Sequence, residues 1–195
     1  MTHWQERGTV SMRFLASCLM VLSMTGPLAA EDVLTSPYRD QRSTEIRGLT
    51  EKEISDLRAG RGMALARTAE LNGYPGPRHV LDAAQEGRLH LSVDQERAVQ
   101  RLFDDMAREA QRLGNMILAE EAILEREFRA GTIREADLQG GLGRIAGLQA
   151  QLRGVHLRAH LETRPVLSAQ QIKYYDQLRG YTTGSPLEHG HQERH

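Results

Sequence analysis

The chain has almost no cysteine: Cys18 is the sole example in 195 residues. A disulfide framework, a zinc site of several thiolates and a cysteine nucleophile after residue 18 are therefore excluded. Aromatic residues make up only 5% of the chain, and the formal net charge is −1. The first absence disfavours a sandwich or a mixed α/β fold, both of which use aromatic and β-branched residues freely. The second removes the positive field that nucleic acid would require. Leucine, alanine, arginine, glutamate and glutamine dominate instead, a composition suited to long helices. No serine triad, nucleotide loop or catalytic carboxylate pair is visible, so the reading is of a non-enzyme without an organic cofactor.

One apolar run exists, from Phe14 to Ala30, preceded by Arg13 and ending in Pro27-Leu28-Ala29-Ala30. A basic start, a short apolar core and small terminal residues are the parts of a secretory signal peptide. Residues 1–30 are therefore expected to direct export to a bacterial periplasm, with cleavage after Ala30 and Met12 as an alternative start. A retained membrane anchor is the competing reading, but Gly26-Pro27 and the short run disfavour a spanning helix. Leu15-Ala16-Ser17-Cys18 has the letters of a lipoprotein box, yet most of the apolar segment follows the cysteine instead of preceding it.

A short pattern recurs beyond this segment. Leu91-Ser92-Val93-Asp94-Gln95 and Leu167-Ser168-Ala169-Gln170-Gln171 each place an apolar residue before a capping box. A relaxed third copy is Leu49-Thr50-Glu51-Lys52-Glu53. In each, the hydroxyl accepts from the N–H three residues on, while the glutamine or glutamate reaches back to the cap's own N–H. Ile54 and Ile172 stand where a hydrophobic staple to Leu49 and Leu167 would form.

Periodicity assigns the rest. Residues 31–48 lack it and are expected to be a flexible leader. A helix is expected from Thr50 to Asn72, with interruptions at Gly60 and Gly62, and a shorter one from Arg78 to Gln85. The strongest stripe is Val99, Leu102, Met106, Ala110, Leu113, Ile117, Leu124 and Phe128, giving a helix from Ser92 to Ala130. A second long helix follows from Ile133 to Glu162, with Gly140, Gly141, Gly143, Gly147 and Gly154 allowing either close packing or bending. The last helix spans Ser168 to Gly180, and 182–195 reads as a disordered, histidine-containing tail. The expected fold is all-α: a long antiparallel hairpin with short flanking helices in a domain of residues 49–181. Its long apolar stripe argues for an intertwined homodimer.

The export signal, helical hairpin and two Leu-Ser-x-x-Gln boxes together resemble the LTxxQ family of bacterial periplasmic proteins. That family includes Spy- and CpxP-type envelope-stress proteins, zinc-resistance-associated proteins of the ZraP type and heavy-metal sensors. Tyr74-Pro75-Gly76-Pro77-Arg78-His79 and His156-Leu157-Arg158-Ala159-His160-Leu161 lie closest to the heavy-metal resistance and sensor branch. The resemblance implies a helical dimer that either binds a divalent metal and reports it, or cradles unfolded client proteins without ATP. An envelope sensor protein is the other partner it implies.

His156 and His160 are the sharpest candidates for chemistry. Four apart on a helix, both imidazoles leave one face and suit zinc, nickel or copper. A hairpin turning near Gly131 places Glu109 opposite His156, and Asp105 or Met106 opposite His160, so Glu109 and Asp105 complete the expected ligand set. Ordinary surface histidines are the competing reading. The tail histidines His189, His191 and His195 read as solvated, and His79 and His90 carry no assigned role. Arg97, Arg101, Arg108 and Arg112 read as a solvated, ion-paired helix face.

Overall fold

The computed structural model describes residues 36–39 and 45–182. The segment read as an export signal and nearly all of the tail lie outside the described residues. The chain divides into two units, 1–39 and 40–195. Of the first, only the turn at 36–39 is described, closed by the Arg39 N–H donating to Ser36 O at 3.2 Å.

All described elements in the second unit are helical: α1 (Glu51–Arg58), α2 (Arg67–Glu70), α3 (Pro77–Gln85), α4 (Val93–Ala130), α5 (Glu135–Thr163) and α6 (Ala169–Leu178). A single 3-10 turn (Arg164–Val166) joins α5 to α6. All three boxes cap as the residues dictate: Thr50, Ser92 and Ser168 each accept from the N–H three residues on, and each receives the return bond. No described helix is long and apolar enough to cross a membrane.

The α4 helix ends at Gly131, whose left-handed backbone (φ 66°) would strain any residue with a Cβ. Beyond it α5 packs along α4, with Arg144 Nε on Glu120 Oε2 at 2.9 Å and Leu124 against Gly141. The apolar interior has two parts. Ile54 and Leu57 of α1 close over Ala110, Leu113, Ile117 and Leu118 of α4 and Leu148 and Leu152 of α5. Separately, Val80, Leu89, Val99, Leu167 and the fully buried Tyr175 join α3, the start of α4 and α6.

Three expectations need correction. The helix expected over Thr50–Asn72 is two helices. Gly60 turns the chain at φ 62°, pressed so close to α4 that an added Cβ would lie 2.8 Å from Gln111 N. Met63 and Ala64 then both adopt positive φ, 41° and 60°, before α2 begins. Second, Ile46 lies in the segment read as a leader yet is buried in the first cluster. Beside it Arg47 pairs with Glu125 at 3.4 Å. Third, the α5 glycines, expected to allow either close packing or bending, divide: Gly141 packs against Leu124, whereas Gly143, Gly147 and Gly154 have nothing within 4 Å of a built Cβ. The close crossing is at Gly114 of α4, where a Cβ would fall 2.0 Å from Leu57 O. On the expected stripe, Phe128 is also exposed, at 56%.

The repeated box has a tertiary purpose. Gln95 Nε2 donates to Val166 O at 2.9 Å and to Gln171 Oε1 at 2.9 Å. Reciprocally, Gln171 Nε2 donates to His90 O at 2.7 Å and to Gln95 Oε1 at 3.0 Å. His90 and Val166 each sit two residues before their own cap serine, so the two boxes bond with matched partners. Each carboxamide thus finishes its own helix start and clamps the other.

Candidate functional site

His156 and His160 lie on α5 one turn apart, and both line one cleft of about 370 Å³ with Met63, Glu70 and His79. Each wall has a local cause. The strained Met63–Ala64 backbone brings α2, and with it Glu70, against α5. On the other side the Gly73–Gly76 loop is pinned to the end of α5. His160 Nδ1 lies 2.7 Å from Tyr74 O, and Arg164 Nε donates to Gly73 O at 3.2 Å while its guanidinium stacks 5.0 Å from the Tyr74 ring centre. Gly76 gives the ring its room there, since a Cβ would lie 2.7 Å from His160 Cε1 and force it to shift. Pro77 then starts α3 at a position where its missing N–H costs nothing, and α3 carries His79 to the exposed rim.

The carboxylate of Glu70 is used on one side only. Its Oε1 accepts from Tyr175 Oη at 2.6 Å, Tyr181 Oη at 3.1 Å and Arg179 Nε at 3.2 Å. Its Oε2 is buried without a hydrogen bond, 3.5 Å from His160 Nδ1. His156 Nε2 is likewise buried and unpartnered. The carbonyl can only accept, so His160 Nδ1 carries the hydrogen, and the neutral form of this ring has its lone pair on Nε2, the tautomer a metal ligand needs.

Burial holds the His156 ring below the ordinary histidine range, and repulsion from His160 adds to it. His79, though exposed at the rim, is lowered first by partial desolvation of its ring and then by the Arg179 charge. Neutral imidazoles are the ligating form. Burial, then the Glu70 hydrogen bond, pushes the Tyr175 phenol far up, so it remains a donor. Asp176, with Oδ1 buried and unpartnered, is pushed up by burial and then by Glu70.

The two acids expected from hairpin register do not line this cleft. Glu109 is gripped by Arg112 of its own helix through both oxygens at 2.8 and 2.6 Å. Asp105 is paired with Arg108, also on α4. Each acid has a basic partner three residues on, which satisfies its charge locally at the surface. The cleft draws on Glu70 and His79 in their place. His79 belonged to the Tyr74–His79 motif, and Glu70 stood in a segment read as continuous helix. Only the break at Gly60–Ala64 brings it inward. Among the described residues no group of three or more histidine, cysteine or acidic side chains converges tightly enough to hold one ion in this arrangement.

No protein-family model, curated protein or solved structure matches the chain.

Proposed function

We propose that this chain is an exported, non-catalytic LTxxQ-type protein that binds a divalent transition metal at the His156–His160 cleft and serves in heavy-metal resistance or envelope stress. The carrying observation is the pair of buried polar atoms without partners, His156 Nε2 and Glu70 Oε2, lining the same cleft. Orphaned buried groups of this kind cost about 1–3 kcal/mol each and call for a ligand. Two or three imidazoles and one carboxylate suit a borderline ion such as Zn²⁺, Ni²⁺ or Cu²⁺, with water completing the shell. On this reading Glu70 and His79, which line the same cleft, turn toward the pair when the ion binds. In this proposal α4 and α5 form an antiparallel hairpin and two chains pair as a homodimer in the periplasm.

The test is calorimetric titration of the full chain with each ion, in a background carrying His189→Ala, His191→Ala and His195→Ala. Saturable binding, lost in His156→Ala/His160→Ala, is the expected result. Affinity no better than millimolar, about 4 kcal/mol, would reject the metal reading. The rival reading is an ATP-independent chaperone. Its specific support is the exposed apolar side chains Leu71, Phe128, Leu142 and Leu161. That activity would survive loss of both histidines and fail when those side chains are made polar.

A further inference from the structure

A broad cleft lies away from the histidines, beside the glutamine clasp. It encloses about 740 Å³ between the α3–α4 loop and α6, within the ~300–1,000 Å³ typical of ligand sites. Gln170, Lys173, Tyr174 and Gln177 line it at i, i+3, i+4 and i+7, so one face of α6 forms a wall. Its floor includes Gln95 and Gln171, whose carboxamide hydrogens are already spent on each other and on Val166 and His90.

The wall differs from the floor. The side chains of Gln170, Lys173, Tyr174 and Gln177 make no hydrogen bond or ion pair with any described residue, although one side of the Tyr174 ring packs against the second apolar cluster. The lining contains the cations Arg88 and Lys173 but no acid. Arg88 has only a loose contact with Glu86, at 3.5 Å. The groove therefore offers an unmatched positive charge, two carboxamides that both donate and accept, and a tyrosine ring.

We propose that this groove binds the C-terminal end of an extended, apolar peptide, with the terminal carboxylate held by Lys173 and Arg88 and main-chain amides paired with Gln170 and Gln177. A carboxylate complements the two cations, and capture of a peptide carboxylate by such groups is a recurrent recognition mode. Peptide bonds match the carboxamides donor for acceptor. The alkyl chain of a fatty acid would cover Gln170 and Gln177 with no partner, which penalises it. Apolar side chains of the peptide pack on the Tyr174 ring.

Fluorescence anisotropy tests this directly, using the full chain in chelator so that metal plays no part. The probe is a fluorescein-labelled leucine–alanine hexapeptide with a free carboxyl terminus. Micromolar binding is expected, weakened about tenfold when the terminus is amidated and about tenfold by Lys173→Glu, each about 1.4 kcal/mol. Lys173 is solvent-exposed, so the variant should retain its helical circular dichroism. Equal affinity for the acid and amide peptides, undiminished binding to Lys173→Glu, or no binding at millimolar peptide would overturn the proposal. So would binding of dodecanoate in the absence of peptide binding, which would assign the groove to fatty acids.

Discussion

At the scale of single residues, the histidine cleft depends on Gly76. A Cβ there would lie 2.7 Å from Cε1 and 2.9 Å from Nε2 of His160, so the ring would have to shift to admit it. Gly76→Ala should push the imidazole out of place. Urea unfolding is expected to show a loss of about 1–3 kcal/mol from overpacking, and calorimetry a metal affinity at least tenfold weaker. A variant with wild-type stability and affinity would mean the ring has room to move. His156 supplies a pH test. Its pKa lies below the ordinary 6.5 because of burial and then His160. As the pH falls through that value, the unfolded chain takes up a proton that native His156 resists. Stability should therefore be full above about pH 7 and drop toward pH 5. In chelator, His156→Leu should flatten this slope in pH-dependent urea melts; an unchanged slope would assign it to other groups.

Among the elements, the two boxes show why a common local signal recurs with the same residues. Serine and glutamine at that spacing suffice to start a helix, and the sequence alone predicts both starts. What the spacing does not predict is that Gln95 and Gln171 also join the starts of α4 and α6. Gln95→Ala should cost about 1–3 kcal/mol, more than an exposed cap would, because Val166 O and Gln171 lose a part-buried partner. Added to Gln171→Ala, it should cost less than the sum of the singles. Strict additivity in denaturant melts would show that the clasp contributes nothing beyond the two caps. The α5 glycines lead to the opposite expectation. Gly143, Gly147 and Gly154 face open space, so alanine at each should stabilise the helix by up to about 1 kcal/mol. A fall in urea midpoint for any of them would reveal a contact beyond the single chain, as a dimer would provide.

For the whole molecule, the cleft joins parts far apart in sequence: α2, the Gly73–Gly76 loop, α3, α5 and, through Glu70, α6 and Tyr181. An ion bound there would tie these together and stabilise the native chain by mass action. At a hundredfold excess over Kd the gain is about 2.7 kcal/mol, readable as a raised melting temperature in the presence of Zn²⁺ or Ni²⁺. Glu70→Gln keeps an acceptor for Tyr175 but removes the charge, and should abolish most of that rise. A full metal-induced shift in Glu70→Gln would exclude the carboxylate as a ligand.

The sequence by itself determined the helical class, the positions of α3 to α6 to within two or three residues, and all three capping boxes. These are local properties: a cap needs a hydroxyl and a partner three residues away, and an amphipathic stripe needs only its period. It also placed His156 and His160 one turn apart on a single helix, because a spacing of four is a statement about one element. Tertiary structure alone decided which acid meets them. Glu109 and Asp105 had the right register but also had arginines within reach on α4, and local pairing satisfied them. Glu70 came within 3.5 Å of His160 because the chain breaks at Gly60 and crosses Gly114 at backbone contact, a fit that depends on shapes from two distant segments. The pairing of Gln95 with Gln171 was hidden for the same reason, since a bond between residues 76 positions apart leaves no periodic trace in the sequence.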